Sequence, residues 1–114
     1  MAPNLLPDEP LTEVIFVHDY VQLGFQGPRF SLYNLTRVSH AGGSAMQGEP
    51  EFAGALVQLI GQRVERVTHG TMAALELHFS GGASVQVLCG AQYESGPESF
   101  QFSREGQPLV VGQN

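Results

Sequence analysis

Residues 75–90, LELHFSGGASVQVLCG, alternate apolar and polar side chains, turn at two glycines and then alternate again. A period of two is typical of a strand that buries one face and exposes the other. This stretch therefore predicts a β-hairpin in which Glu76 and His78 point outward. The residues predicted to point inward are Leu75, Leu77, Phe79, Val85 and Val87.

Residues 21–34, VQLGFQGPRFSLYN, repeat the same arrangement. When Phe25 is aligned with Phe79, the apolar positions before the turn coincide, and those after the turn coincide with an offset of one residue. The alignment pairs Val21 with Leu75, Leu23 with Leu77, Phe30 with Val85, and Leu32 with Val87. A longer turn or a bulge accommodates such an offset. We predict two related β-meanders, the alternative being that any two hairpins look alike under alternation.

The length of 114 residues is typical of one domain. The predicted fold class is α+β, with two pseudo-repeated antiparallel meanders forming a roll or split barrel with one amphipathic helix. We expect a flexible N-terminal arm over residues 1–11 and a single domain over 12–114. Within that domain the predicted segments are a meander at 12–38, a helix at 50–60, a meander at 62–90 and a C-terminal hairpin at 98–111.

The helix is predicted from PEFAGALVQLIG, in which Pro50 suits a first helical turn and Gly61 is a natural stop. One apolar stripe follows the helical spacing and should pack on a sheet. Its members are Phe52, Ala55, Leu56, Leu59 and Ile60. The stretch before the helix, residues 39–50, is interpreted as a glycine-rich connection.

Two strands at the margins of the fold are expected to need a cover. Residues 14–17 are β-branched and aromatic throughout, which predicts a strand covered on both faces. Residues 109–111 predict a final edge strand. Because a symmetric dimer is the commonest cover for such strands, we expect a homodimer.

The composition excludes several classes of partner and chemistry. The net charge is −6, and all five basic residues are arginine, so the chain has few cations with which to neutralise nucleic-acid phosphates. A P-loop and Schiff-base chemistry both need the lysine that the chain lacks. No apolar run approaches the ~20 residues of a membrane helix, and the N-terminus has no secretory pattern. We predict a cytoplasmic protein without nucleic-acid or membrane partners, and we expect its single cysteine, Cys89, to face the core.

The stretch from Leu59 to Val87 and the segment SGPESFQF resemble a pattern found in small uncharacterised bacterial proteins. In these, a G-x-x-V strand leads to an L-x-L-x-F-x-x-G hairpin and a terminal G-P-E-x-F segment. The matching positions are Gly61, Gly81 and the Gly96-Pro97-Glu98 run. Some proteins with this general sequence pattern occur among toxin–immunity or phage-conflict systems. The resemblance implies no catalytic residue.

The chain lacks the G-x-S-x-G, phosphate-loop and H-E-x-x-H signatures, so a non-catalytic role without a cofactor is favoured and catalysis stays open. The primary hypothesis is a binding protein, immunity-like, that recognises a protein partner through an acidic and aromatic surface. The candidate binding residues are Tyr33, Glu76, His78, Tyr93, Glu94 and Glu98.

The alternative hypothesis is a small-ligand or metal-binding barrel, which would allow an enzyme. His18 and His69 each follow the first strand of their meander, so the repeat would bring them to equivalent corners. With Asp19 beside His18, two imidazoles and a carboxylate would form a metal site at the rim.

Overall fold

In a computed structural model of the chain, which describes residues 4–69 and 73–114, the alternating segments form two five-stranded antiparallel sheets. The strands are Glu13–Val17 (β1), Tyr20–Gly24 (β2), Arg29–Leu32 (β3), Thr36–His40 (β4), Gly43–Met46 (β5), Val64–Thr68 (β6), Ala73–Phe79 (β7), Ser84–Leu88 (β8), Glu98–Ser103 (β9) and Val110–Gln113 (β10). The helices are the α-helix Phe52–Val57 (α1) and a short 3-10 turn, Ala91–Tyr93.

The two sheets exchange hairpins. The first sheet has the order β1-β2-β3-β9-β10, and the second has the order β5-β4-β8-β7-β6. Each is therefore a three-stranded meander from one half of the chain extended by a hairpin from the other half. The α+β class with two meanders and one helix is confirmed. Each sheet keeps two edge strands, so neither closes into a barrel.

The predicted repeat is confirmed residue by residue. Leu23 pairs with Phe30 across β2 and β3, and Leu77 pairs with Val85 across β7 and β8. The other aligned positions behave in the same way: Val21 pairs with Leu32, and Leu75 pairs with Val87. All eight of these side chains are buried in the core. Equivalent places in the two meanders thus carry the residues that the sequence alignment equated.

The offset of one residue lies in the hairpin turns. In the first meander the N–H of Phe25 donates to the carbonyl of Pro28 at 2.8 Å, and in the second the N–H of Phe79 donates to Ala83 at 2.8 Å. The second loop is longer by one residue and contains Gly82 with a φ of +97°. L-residues avoid that region because Cβ crowds the backbone.

We expect Gly82→Ala to lower the free energy of unfolding by about 1–2 kcal/mol, because alanine is strained at this positive φ. Gly54→Ala is the matched control, since a Cβ at this helical position meets nothing within 4 Å and removing glycine from a helix stabilises it. Urea unfolding of both variants measures the effect. Equal stability of the two would contradict the assigned turn.

The core lies between the sheets and contains phenylalanines from both halves of the chain. In the first sheet a row of paired residues crosses all five strands, and its members are Val14, Leu23, Phe30, Phe102 and Val110. The corresponding row of the second sheet is Val67, Leu77, Val85, Val38 and Ala45. Burying apolar rows from two facing sheets is the main stabilising term of such a fold.

Helix α1 is shorter than predicted and packs against β1, β4 and β5. Its amphipathic character is confirmed, because Phe52, Leu56 and the following Leu59 are buried. Ile60 was expected on the same stripe but is 44% exposed. The α-helix ends at Val57, so the helical spacing that would have turned Ile60 inward does not continue.

Three further predictions were wrong in detail. β1 is not covered on both faces, because Ile15 and Val17 are exposed on its outer face, and Phe16 at the sheet edge is 48% exposed. The glycine-rich connection contains β5, which forms a hairpin with β4. Cys89 follows β8 and is only half-buried.

Of the flexible arm predicted over residues 1–11, residues 1–3 lie outside the described residues, and residues 4–11 lie along the body of the domain. Leu5 and Leu11 are buried in the main core. The guanidinium of Arg63 donates to the carbonyl of Asp8, and that of Arg104 donates to the carbonyl of Leu6 at 2.5 Å.

Candidate functional site

All three tyrosines of the chain gather at the end of the molecule where the chain crosses from one sheet to the other. The rings of Tyr20 and Tyr33 lie 5.2 Å apart between centroids, tilted by 57°. Tyr33 and Tyr93 line the same surface depression of about 270 Å³. An aromatic cluster with phenolic groups at the surface is typical of protein-binding sites.

Carboxylates surround this cluster. Asp19 and Glu94 line the depression that Tyr33 and Tyr93 share. Glu98 lies beside Tyr33 in a neighbouring depression of about 220 Å³. We call this combined surface the tyrosine–acid surface, and its residues are Asp19, Tyr20, Tyr33, Tyr93, Glu94 and Glu98.

The crossing segments hold Tyr33 and Tyr93 in place through backbone hydrogen bonds. The N–H of Tyr33 donates to the carbonyl of Ser99 at 2.9 Å, and the N–H of Leu35 donates to the carbonyl of Tyr93 at 2.9 Å. The hydroxyl of Ser95 donates to the carbonyl of Tyr33 at 2.7 Å. The tyrosines therefore project from a bonded framework that joins both sheets, which limits the entropy lost when a partner binds.

A pair of amide side chains, one of them buried, supports this framework from beneath. Asn34 is fully buried, and its Nδ2 donates to the carbonyl of Leu88 and to Oδ1 of Asn114, each at 2.8 Å. In return Nδ2 of Asn114 donates to Oδ1 of Asn34 at 2.9 Å and to the carbonyl of Gly96 at 2.8 Å. These bonds tie both crossing segments to the exposed C-terminal residue Asn114, and Asn34 satisfies the buried carbonyl of Leu88.

The electrostatic character of the surface is one-sided. The residues lining its two depressions include no arginine. Within the described part of the chain the ion pairs are Arg29 with Glu13 and His78 with Glu76, and neither includes a residue of this surface. Glu98 accepts a hydrogen bond from Nε2 of Gln101 at 3.0 Å. Carboxylates without cationic partners attract a positively charged group to this end of the molecule.

The structure brings together four of the six predicted binding residues: Tyr33, Tyr93, Glu94 and Glu98. Glu76 and His78 lie elsewhere, on the outward side of β7 in the second sheet. There His78 Nε2 is 3.1 Å from a carboxylate oxygen of Glu76 and 3.1 Å from the hydroxyl of Thr68. His78 Nδ1 is 3.3 Å from the guanidinium of Arg66. These two residues bond mainly to their own neighbours.

The rest of that outer face is also internally bonded. Oε1 of Gln86 accepts from Nε of Arg37 at 2.9 Å and from the hydroxyl of Ser39 at 3.1 Å. The Nε2 of Gln86 donates to the hydroxyl of Ser84 at 2.5 Å. A polar network that already satisfies itself has less to gain from a ligand than the uncompensated acids of the tyrosine–acid surface.

The proposed metal ligands His18, Asp19 and His69 are not brought together as a group. Among the residues that the structure describes, no three His, Cys, Asp or Glu side chains lie where they could hold a metal ion. Nδ1 of His69 lies 2.7 Å from the carbonyl of Ala74. Asp19 instead lines the tyrosine–acid surface.

Sequence reasoning missed Tyr20 and placed Asp19 in a different site. The signal for both was the two-residue turn between β1 and β2, which pairs Val17 with Tyr20. That pairing fixes Tyr20 at the start of β2. Because β2 pairs antiparallel with β3, Tyr20 lies next to Tyr33, which follows the last residue of β3. The approach of Tyr93 has no sequence signal, because it depends on how the β8–β9 segment crosses between the sheets.

No family model, curated protein or solved structure matched the chain when it was compared with each of these sets. Among the described residues, no helix is both long and apolar enough to cross a membrane.

Proposed function

We propose that this chain is a non-catalytic binding protein whose tyrosine–acid surface captures a basic segment of a partner protein. The observation that carries the proposal is the convergence of every tyrosine in the chain with three carboxylates that have no arginine beside them in the depressions they line. The proposal requires no cofactor.

The chemistry of the surface favours arginine or lysine in the partner. A guanidinium can stack on the face of a tyrosine while its N–H groups donate to a carboxylate, and the surface offers both within one depression. The net charge of −6 adds long-range attraction for a basic partner and speeds its association. Nucleic acid, which is polyanionic, is disfavoured by the same charges.

The resemblance to small bacterial proteins of toxin–immunity neighbourhoods is consistent with this binding mode. In that setting the protein is cytoplasmic, and it occludes a cationic surface of its partner as an immunity protein would. The tyrosines supply contact area at low entropic cost, and the acids supply orientation.

We expect charge reversal at the surface to abolish capture of the partner. The double variant Asp19→Arg, Glu94→Arg replaces both acids of the shared depression with cations that repel a basic segment. Affinity-tagged protein is incubated with extract of its host, and captured proteins are identified by mass spectrometry. A partner retained by the native protein and lost by the variant supports the proposal.

The matched control is Glu65→Arg, Glu76→Arg. It makes the same charge change on β6 and β7 of the second sheet, away from the tyrosines. We expect this control to retain the partner, with association slowed only through the altered net charge. If both double variants lose the partner equally, or neither loses it, the tyrosine–acid surface is not the binding site.

Tyr33→Ala is expected to weaken binding of the identified partner by at least about 30-fold, because Tyr33 lines both depressions and central tyrosines dominate binding energy. Calorimetric titration with the purified partner measures the change. Tyr33→Phe separates ring from hydroxyl: we expect it to retain most of the affinity, because stacking uses the ring face. A loss below about threefold for Tyr33→Ala would exclude Tyr33 from the contact.

A further inference from the structure

The four sheet edges differ in how they are protected against pairing with another chain. The pairing of β10 is interrupted at Gly112/Gln113, and that of β6 is interrupted near its charged pair Glu65 and Arg66. β5 is only four residues long. β1 has five consecutive regular pairs with β2 and no irregularity. A regular apolar edge without bulge, proline or lysine is a template for a further strand.

The exposed apolar residues are concentrated at this same edge. Six large hydrophobic side chains are exposed in the described part of the chain, and five of them lie on β1 or on α1 and its following turn. We call these five the β1–α1 patch: Ile15, Phe16, Val17, Val57 and Ile60. The two elements pack against each other. The N–H of Gly61 also donates to the carbonyl of Leu11 at 2.8 Å, just before β1.

We propose that β1 pairs antiparallel with β1 of a second copy of this chain, with Ile15 of one copy opposite Ile15 of the other. Val14 of each copy then faces Phe16 of the other, which extends the inner apolar row across the dimer axis. The half-exposed ring of Phe16 gains a cross-strand apolar neighbour. The two first sheets join into one ten-stranded sheet.

The distribution of charge selects a second copy and fixes the register. The one charged residue of β1, Glu13, is already paired with Arg29, so the edge offers nothing to the basic segment proposed for the tyrosine–acid surface.

Antiparallel registers that keep the backbone groups facing each other differ by steps of two residues. One step brings Glu13 opposite Asp19 of the other copy, which places two carboxylates together. The opposite step places Phe16 opposite Thr12 instead of Val14. The central register avoids the like charges and keeps an apolar neighbour for Phe16.

Sedimentation equilibrium over about 1–200 µM tests the association. One β-strand pair with a few flanking helix residues forms a small interface, so we expect a micromolar dimer of twice 12.3 kDa. Ile15→Lys should remain monomeric over the whole range, because it places two like charges at the dimer axis. Leu109→Lys is the matched control: Leu109 is the sixth exposed hydrophobic residue and lies outside the patch, so this variant should dimerise like the native chain.

Cysteine cross-linking tests the register. In a Cys89→Ser background, Ile15→Cys places two thiols on opposed residues about 4.5–5.5 Å apart between Cα atoms, within disulfide range. We expect it to form a covalent dimer on mild oxidation, and Glu13→Cys, which would face Val17, not to do so. If the native chain is monomeric at 200 µM, the proposal is wrong, whether or not the chain captures other proteins. Equal cross-linking of the two cysteine variants overturns the register.

This inference is independent of the proposed function. The Asp19→Arg, Glu94→Arg variant should lose its partner and still dimerise, whereas Ile15→Lys should be monomeric and still capture the partner.

Discussion

Replacing Phe30 with alanine is expected to lower the free energy of unfolding by about 4 kcal/mol, the largest effect of any single core substitution in this chain. Phe30 is fully buried at the middle of the first sheet. Its ring lies 4.5 Å from that of Phe102, 6.2 Å from Phe25 and 6.5 Å from Phe100 between centroids. Alanine removes these contacts and leaves a cavity that rigid neighbouring strands cannot fill.

Equilibrium urea unfolding followed by circular dichroism measures this loss. Because domains of this size are stable by only about 5–15 kcal/mol, the variant should be partly unfolded in buffer or have a much lower midpoint. Leu109→Ala is the control, since the side chain is 53% exposed and its loss should cost less than about 0.5 kcal/mol. A loss below about 1.5 kcal/mol for Phe30→Ala would mean that the centre of the core lies elsewhere.

The repeat offers a second comparison within the same experiment. Leu23 and Leu77 are fully buried and occupy equivalent places in the two meanders. Leu23→Ala and Leu77→Ala should therefore cost similar amounts, about 3 kcal/mol each. A difference above about 2 kcal/mol would show that the two halves are not energetically equivalent.

Replacing Asn34 with leucine is expected to cost about 2 kcal/mol, although leucine is more apolar and similar in size. The substitution leaves the buried carbonyl of Leu88 without its partner, and it removes both bonds to Asn114, whose exposed amide can bond to water instead. A buried polar group without a hydrogen bond costs about 1–3 kcal/mol. The loss should appear as a lower urea midpoint with an unchanged dependence on urea concentration.

Gln101→Leu is the matched control for Asn34→Leu. Gln101 is a half-exposed amide on β9 that donates to Glu98, and water can replace that bond, so we expect a loss below about 1 kcal/mol. A double-mutant cycle with Asn34→Ala and Asn114→Ala isolates the amide pair, and we expect a coupling energy of about 1–2 kcal/mol. Additive losses would show that the two amides act independently.

The local pattern of this chain predicts much of its fold. Period-two alternation identified both meanders, and the alignment of Phe25 with Phe79 located equivalent core positions and the longer second turn. These features depend on neighbouring residues along the chain, which is why pattern alone reveals them.

Several failures of prediction have a tertiary cause. Residues 14–17 have the composition of a buried strand, yet Ile15 and Val17 lie on the outer face of the sheet, and Phe16 is exposed because β1 is at the sheet edge. An edge and a centre differ in what the rest of the chain places beside them, and local composition does not contain that information. The same holds for Glu76 and Glu94, two acids predicted to share one binding surface that the fold places on different surfaces.

The sequence by itself determined the two meanders, their equivalent core residues and the net acidity, because strand periodicity, turn chemistry and charge are properties of short segments or of composition. Only the tertiary structure decided that the hairpins exchange between sheets, that three tyrosines separated along the chain meet beside Asp19, Glu94 and Glu98, and that β1 is left at an open edge. These outcomes depend on pairing between distant strands, which is set by the packing of the whole core rather than by any one segment.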